Sequence, residues 1–304
     1  MKSNLEILNI CDQPHPDPAS LYRFLIEGYE VPFGHITPDV AKRMPWGENW
    51  LIDHDARTAK LLGTSLDDRT QIMHEMLVSA REKHTFKLLA GWQNEPWPVY
   101  GPNKKLVLSI ERAAAPLFGI VAYGVQLLAY EGSSASDDLK IWIARRAKTK
   151  RTFPGMLDST VGGSMSTGET PFECLVRECE EEASFSEGLV RTCAVAAGTV
   201  NFVHVTDERY GGESGLPCPE IDFVYDMQLP EGVIPVPNDG EVEEMVLLSV
   251  EEVKSALAMG KFPPANGYVI LDFFVRHGIL TWENERDYVE IVSRLRRRLD
   301  FQTA

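Results

Sequence analysis

The sequence predicts an α/β chain in which a mixed sheet lies between helices, with a smaller α+β unit ahead of it. Three observations carry this reading. Beyond residue 117, strand-like segments alternate with a basic loop, a glycine-rich loop and amphipathic helices. Consecutive strands there lie too close in sequence for repeated helical crossovers, which favours a sandwich over a doubly wound sheet. The first 116 residues have a different texture, with helical-looking pieces followed by a Trp/Pro-rich stretch.

In chain order, residues 18–29 and 65–85 read as helices, and residues 91–102 as neither helix nor regular strand because Trp and Pro crowd there. Residues 104–112 and 120–130 have strand chemistry, and the GSSASDD run at 132–138 is a turn into a strand at 139–145. The division falls near Leu117, giving an accessory domain at 1–116 and a second domain at 117–304. Further strands are expected at 198–205 and 221–229, then helices at 250–259, 265–277 and 283–299.

Composition narrows the function. The chain has 304 residues, 44% of them apolar, which is enough for a substantial core. A formal charge of −15 repels nucleic acid and anionic membranes, so an anionic small-molecule substrate needs a local basic patch. Five cysteines with no CxxC pair point to a reducing, cytoplasmic compartment. The amino terminus has no apolar signal core, and the longest apolar stretch, broken by Gly119 and Gly124, is too short to span a bilayer.

The chemistry concentrates in the segment GGSMSTGETPFECLVRECEEEASF, residues 162–185. Thr170 suits an N-cap, Pro171 the first helical position and Glu173 the closing residue of a capping box, so a helix starts directly after the glycine loop. Cys174, Leu175 and Cys179 are available to its buried face. Glu178, Glu181 and Glu182, at i, i+3 and i+4, share one stripe and repel one another by a few tenths of a kcal/mol per pair. Taken alone, such a run is a solvated helix face. Clustered carboxylates also suit a hard divalent cation that bridges protein oxygens to a diphosphate.

The spacing decides between these readings. Gly163, five residues, Glu169, seven residues, Arg177-Glu178, an apolar position, one residue and Glu181-Glu182 resembles the Nudix box. Six fixed identities at roughly 5–7% usage each give a chance match on the order of 10⁻⁵. The resemblance implies a Nudix-type α/β/α sandwich and a hydrolase that uses Mg²⁺ or Mn²⁺. By it Glu178, Glu181 and Glu182 are metal ligands, one of them serving as general base, while Glu169 and Arg177 pair to hold loop against helix. Ser184 stands where the box usually has glycine, which puts the shape of the following turn in question.

Upstream, Arg145, Arg146, Lys148, Lys150 and Arg151 put five cations in seven residues of an acidic chain. They read either as a clamp on a substrate diphosphate, with Arg145, Arg146, Lys148 and Lys150 the candidates, or as a solvated basic turn. Downstream, DGEVEE at 239–244 reads either as a source of a further ligand or base, Glu241 or Glu244, or as a solvent-exposed turn. RRAKTKRTFPGMLDSTVGG, PNDGEVEEM and LDFFVRHG are together similar to the Nudix domain that in some proteins is fused to thiamine pyrophosphokinase, and to stand-alone relatives with an upstream domain. That likeness implies hydrolysis of oxidised or damaged thiamine diphosphate to the monophosphate and phosphate, with an apolar pocket for the ring. Another diphosphate such as ADP-ribose, or a ligand-sensing module without catalysis, remains as an alternative.

Overall fold

The computed structural model describes residues 1–14, 16–133 and 138–304. Its elements run α1 (Asn4–Cys11), β1 (Tyr22–Ile26), β2 (Gly34–Ile36), α2 (Pro38–Arg43), β3 (Trp50–Asp53), β4 (Thr58–Leu61), α3 (Leu66–Glu82), β5 (Pro96–Tyr100), β6 (Leu106–Glu111) and α4 (Ala115–Phe118). Then follow β7 (Ala122–Glu131), β8 (Lys140–Arg146), β9 (Leu157–Asp158), β10 (Val161–Ser164), α5 (Pro171–Ala183), α6 (Glu187–Cys193), β11 (Ala194–Val205), β12 (Pro217–Gln228), β13 (Val242–Ser249), α7 (Val250–Ala258), α8 (Pro264–Arg276) and α9 (Tyr288–Leu295).

The main sheet has the order β11-β12-β7-β8-β13, with β10 on β7 and β9 on β8. It is mixed, because β12 and β7 are parallel while β11/β12 and β8/β13 are antiparallel. Side chains alternate across it. Val125, Leu127 and Ala129 of β7 join Cys174, Leu175 and Val190 of α5 and α6 on one face. Leu128, with Ile141 and Ile143 of β8, joins α7, α8 and α9 on the other. The result is an α/β/α sandwich. The smaller α+β unit carries the sheet β2-β1-β4-β3 and the hairpin pair β5-β6.

Several elements differ from the sequence reading. Residues 18–29 are a short 3₁₀ turn followed by β1, because Phe24 and Ile26 alternate into the core and β1 pairs with both β2 and β4. Residues 96–100 form a strand despite Pro96 and Pro98, with a register shift between Val99 and Tyr100. Pro98 faces Ser109, whose N–H donates to Thr70 Oγ1 at 3.1 Å, so this pair needs no ladder donor. The last helix begins at Tyr288 rather than 283, since a turn in which Asn284 accepts from Thr281 N at 2.8 Å occupies the preceding residues. Of the turn expected at 132–138, residues 134–137 lie outside the described residues. Among the described residues no helix is long and apolar enough to cross a membrane.

Chain order and core membership part company at the amino terminus. Ile7, Leu8 and Cys11 of α1 pack with α7, α8 and α9, in the core of the downstream sandwich. The core of the upstream unit reaches Ile120, Leu216 and Cys218, at the end of the sheet where β7 and β12 begin. The cleft opens at this same end.

Candidate active site

The helix that carries the clustered acids starts where its cap residues dictate. Thr170 Oγ1 accepts from Glu173 N at 3.3 Å and Pro171 takes the first turn. Glu173 does not close a capping box; its carboxylate pairs with Arg191 of α6 at 2.7 Å. Cys174, Leu175, Val176, Cys179 and Ala183 bury the opposite face. Ser184 ends the helix in the left-handed region, φ 54°, and its hydroxyl donates to Val236 O at 2.9 Å. The serine therefore makes the turn a glycine would make, and its hydrogen bond offsets part of the strain.

Arg177 ties the glycine loop to this helix. Its Nε and Nη2 donate to the two oxygens of Glu169 at 2.7 and 3.1 Å, and Nη1 reaches Glu178 at 2.8 Å and Glu181 at 3.0 Å. Burial pushes the Glu169 carboxyl up, but hydrogen bonds from Arg177 and from Ser166 N outweigh it and hold that group below its usual range. Strand β10, just before the loop, passes close enough to need glycine, since a Cβ on Gly163 would lie 2.0 Å from Glu178 Cδ.

The carboxylates then separate by environment. Glu181 is half exposed and paired with Arg177. Glu178 is largely but not fully buried, with 13% of its side chain exposed, and the loss of solvent pushes its carboxyl up to about 7. Glu182 is 9% exposed and accepts from Gly162 N at 2.9 Å; burial, then the neighbouring Asp158, raise it well above the usual range. Oxygens of Glu182, Asp239 and Glu241 all lie within 4.8 Å of one another. The oxygens that converge come one from the helical stripe and two from the loop before β13. Asp239 was not singled out from its run, and only the fold that returns this loop to α5 reveals it.

Three further acids carried no sequence signal. Asp158, Glu220 and Asp222 line the same cleft, of about 620 Å³, with Glu178 and Glu181. Asp222 is 1% exposed and its Oδ2 has no hydrogen-bond partner among the described residues. So many carboxylates, several of them dry, call for positive charge. An all-oxygen donor set of Glu182, Asp239 and Glu241 beside Glu178 fits a hard divalent cation.

Of the basic run, Arg146 and Lys150 line the cleft, paired respectively with Asp158 at 2.6 Å and with Glu241. Arg145 and Lys148 do not line it; they pair with Glu244 at 2.5 Å and Glu243 at 3.2 Å along the β8/β13 edge. Glu244 accordingly lies outside the cleft, whereas Glu241 lies in it. Arg151 has no carboxylate partner among the described residues. Its guanidinium fills the space where Gly91 of the upstream unit lacks a side chain, a Cβ there lying 1.4 Å from Nη1.

Fold and cleft together define an α/β/α sandwich that gathers acids able to hold a hard divalent cation beside two basic side chains. The NUDIX domain model matches residues 131–272, and a domain of unknown function, DUF4743, matches residues 3–122. An uncharacterised protein of Saccharomyces cerevisiae is 33% identical over 84% of this chain and 76% of its own length. Two Arabidopsis thaliana proteins, Nudix hydrolase 20, chloroplastic, and Nudix hydrolase 24, chloroplastic, are each 35% identical, over 79% and 69% of this chain. The chain spans 61% and 55% of their lengths. It belongs to the Nudix hydrolases, with the DUF4743 unit upstream of the Nudix domain.

Proposed function

We propose that the protein hydrolyses a phosphoanhydride bond in a small organic diphosphate, and that its substrate is an oxidised or otherwise damaged thiamine diphosphate, cleaved to the monophosphate and inorganic phosphate. The observation that carries the hydrolase reading is the convergence of Glu182, Asp239 and Glu241 within 4.8 Å beside buried Glu178, with Arg146 and Lys150 on the same cleft. Glu182, Asp239 and Glu241 would hold Mg²⁺ or Mn²⁺, which supplies neutralisation of the diphosphate charge and activation of water.

The chain's own groups do the rest. Arg177 fixes Glu178 and, through Glu169, the loop between β10 and α5, so the acids stay in register when a polyanion enters. Arg146, Lys150 and Arg151 oppose the charge of the phosphates. Water attacks the terminal phosphorus, the anhydride P–O bond breaks, the attacking water's proton passes to a carboxylate of the cleft, and the organic monophosphate leaves.

The thiamine part is supported by the RRAKTK, NDGEVEE and LDFFVRHG segments. A neutral oxothiazole also enters a pocket without the desolvation cost of a thiazolium cation. The test compares kcat/KM for oxothiamine diphosphate, thiamine diphosphate and ADP-ribose at one pH and one metal concentration, reading released phosphate and monophosphate. Oxothiamine diphosphate is expected to be cleaved most efficiently. ADP-ribose in first place would remove the thiamine reading and leave the diphosphate one, and no cleavage of any of the three would remove both.

A further inference from the structure

The acidic cleft is not closed by the Nudix domain alone. A second cavity, of about 570 Å³, opens off it, and the two share Gln93, Arg112, Arg146, Lys150, Glu220 and Asp239. Its walls come from both units: Leu88, Trp97 and Pro116 on one side, His204, Tyr210 and Leu216 on the other. This cavity is only partly apolar, because Glu220 stands at its junction with the cleft.

The junction is built rather than incidental. Glu213 accepts from Lys87 N at 2.7 Å and Leu88 N at 3.1 Å, and Thr167 N donates to Pro96 O at 2.9 Å. Gly212 lets Leu88 approach until a Cβ would lie 2.8 Å from it. Inside, the His204 and Tyr210 rings stack at 4.8 Å with their planes 10° apart. Two polar groups there lack hydrogen-bond partners among the described residues. Trp97 Nε1 is buried and bonds to nothing, and no protein group donates to the Glu220 carboxyl group, whose side chain is 26% exposed; the His204 ring, kept neutral by burial, has its Nδ1 3.7 Å away. An acceptor that no protein donor reaches, on the wall of a cavity, is open to a donor on whatever fills it. An aliphatic chain or a bare phosphate brings no such donor, whereas a flat nitrogen heterocycle brings both a face for the aromatic walls and an N–H edge.

We propose that this cavity is the subsite for the organic group of the diphosphate substrate, a flat nitrogen-containing ring whose N–H donor faces Glu220, and that the upstream unit, through Trp97, supplies one wall of it. The assignment rests on the diphosphate-hydrolase reading for the position of the phosphates. It makes Glu220 and Trp97 specificity-determining residues and gives the DUF4743 unit a part in substrate selection.

Two measurements test it. The first is kcat/KM for oxothiamine diphosphate against methyl diphosphate, which has the same reacting group and no ring, for the full chain and for Glu220→Leu, Trp97→Ala and Trp97→Phe. The preference for the ring is expected to exceed about a hundredfold in the unaltered chain, to fall at least tenfold in Glu220→Leu and Trp97→Ala, chiefly through KM, and to survive in Trp97→Phe. The second is calorimetric titration with thiamine monophosphate and methyl phosphate, which reads the subsite without turnover. Ring-dependent binding that weakens at least tenfold in Glu220→Leu and Trp97→Ala supports the subsite even if neither diphosphate is hydrolysed, an outcome that removes the hydrolase reading alone. A ring preference that is absent, or unchanged within twofold in both variants while they melt as the unaltered chain does, overturns the proposal.

Discussion

Glu182 shows how one residue type takes different roles according to where the fold puts it. Four glutamates sit within five residues, yet Glu180 meets solvent and Glu181 meets solvent and Arg177, while Glu178 and Glu182 are turned toward the sheet where burial alone makes a carboxylate costly. The basic run divides in the same manner. Four of its side chains face acids, and the fifth, Arg151, sits in the notch at Gly91 on the wall of the second cavity. Arg151 is therefore the cation of the run best placed to meet substrate charge without first breaking an ion pair. Arg151→Ala is expected to raise KM for a diphosphate substrate roughly tenfold or more, since a charge-assisted phosphate contact is worth about 1.5–3 kcal/mol. Steady-state kinetics with unchanged KM would assign Arg151 to the domain junction only.

At the scale of elements, what could be read from the sequence is what local chemistry determines. The start of α5 follows from Thr170 and Pro171, its buried face from the spacing of Cys174, Leu175 and Cys179, and its pairing of Glu169 with Arg177 from the box spacing. β1 is not legible, because Tyr22–Ile26 is a strand only through its partners β2 and β4, whose paired residues lie 10 and more positions away. The second half of the acidic site was hidden for the same reason. Asp158, Glu220 and Asp222 lie on strands whose neighbours are set by sheet order, and no spacing in the chain announces that order. α1, too, finds its place through distant partners: the carboxylate of Asp12, 3% exposed, is held by Arg294 at 3.2 Å, Arg297 at 3.0 Å and Val203 N at 3.2 Å. Asp12→Ala leaves two arginines facing a space without countercharge. It is expected to lower the unfolding free energy by about 3 kcal/mol, read as a shift of the urea midpoint with an unchanged slope. A midpoint within error of the unaltered chain would mean that α1 contributes little to holding the downstream core.

On the scale of the whole molecule, the chain concentrates negative charge where a polyanion must bind. A formal charge of −15 and a cleft lined by Asp158, Glu178, Glu181, Glu220, Asp222, Asp239 and Glu241 are reconciled if a cation binds there first. Mg²⁺ or Mn²⁺ is then expected to raise the melting temperature, by the equivalent of about 2.7 kcal/mol at a hundredfold excess over Kd, and EDTA to reverse the rise. Asp239→Asn with Glu241→Gln should abolish the metal-dependent part. A melting temperature indifferent to the metal would place no divalent site in this cleft.

The central claim, that this cleft hydrolyses diphosphates through its converging acids, is tested most directly by phosphate release from oxothiamine diphosphate with saturating Mg²⁺, comparing the unaltered chain with Glu182→Gln. The isosteric change keeps the packing and the acceptor for Gly162 N while removing the negative charge. Turnover is expected to fall at least about a hundredfold with little change in melting temperature. Near-equal turnover in the two would contradict the account.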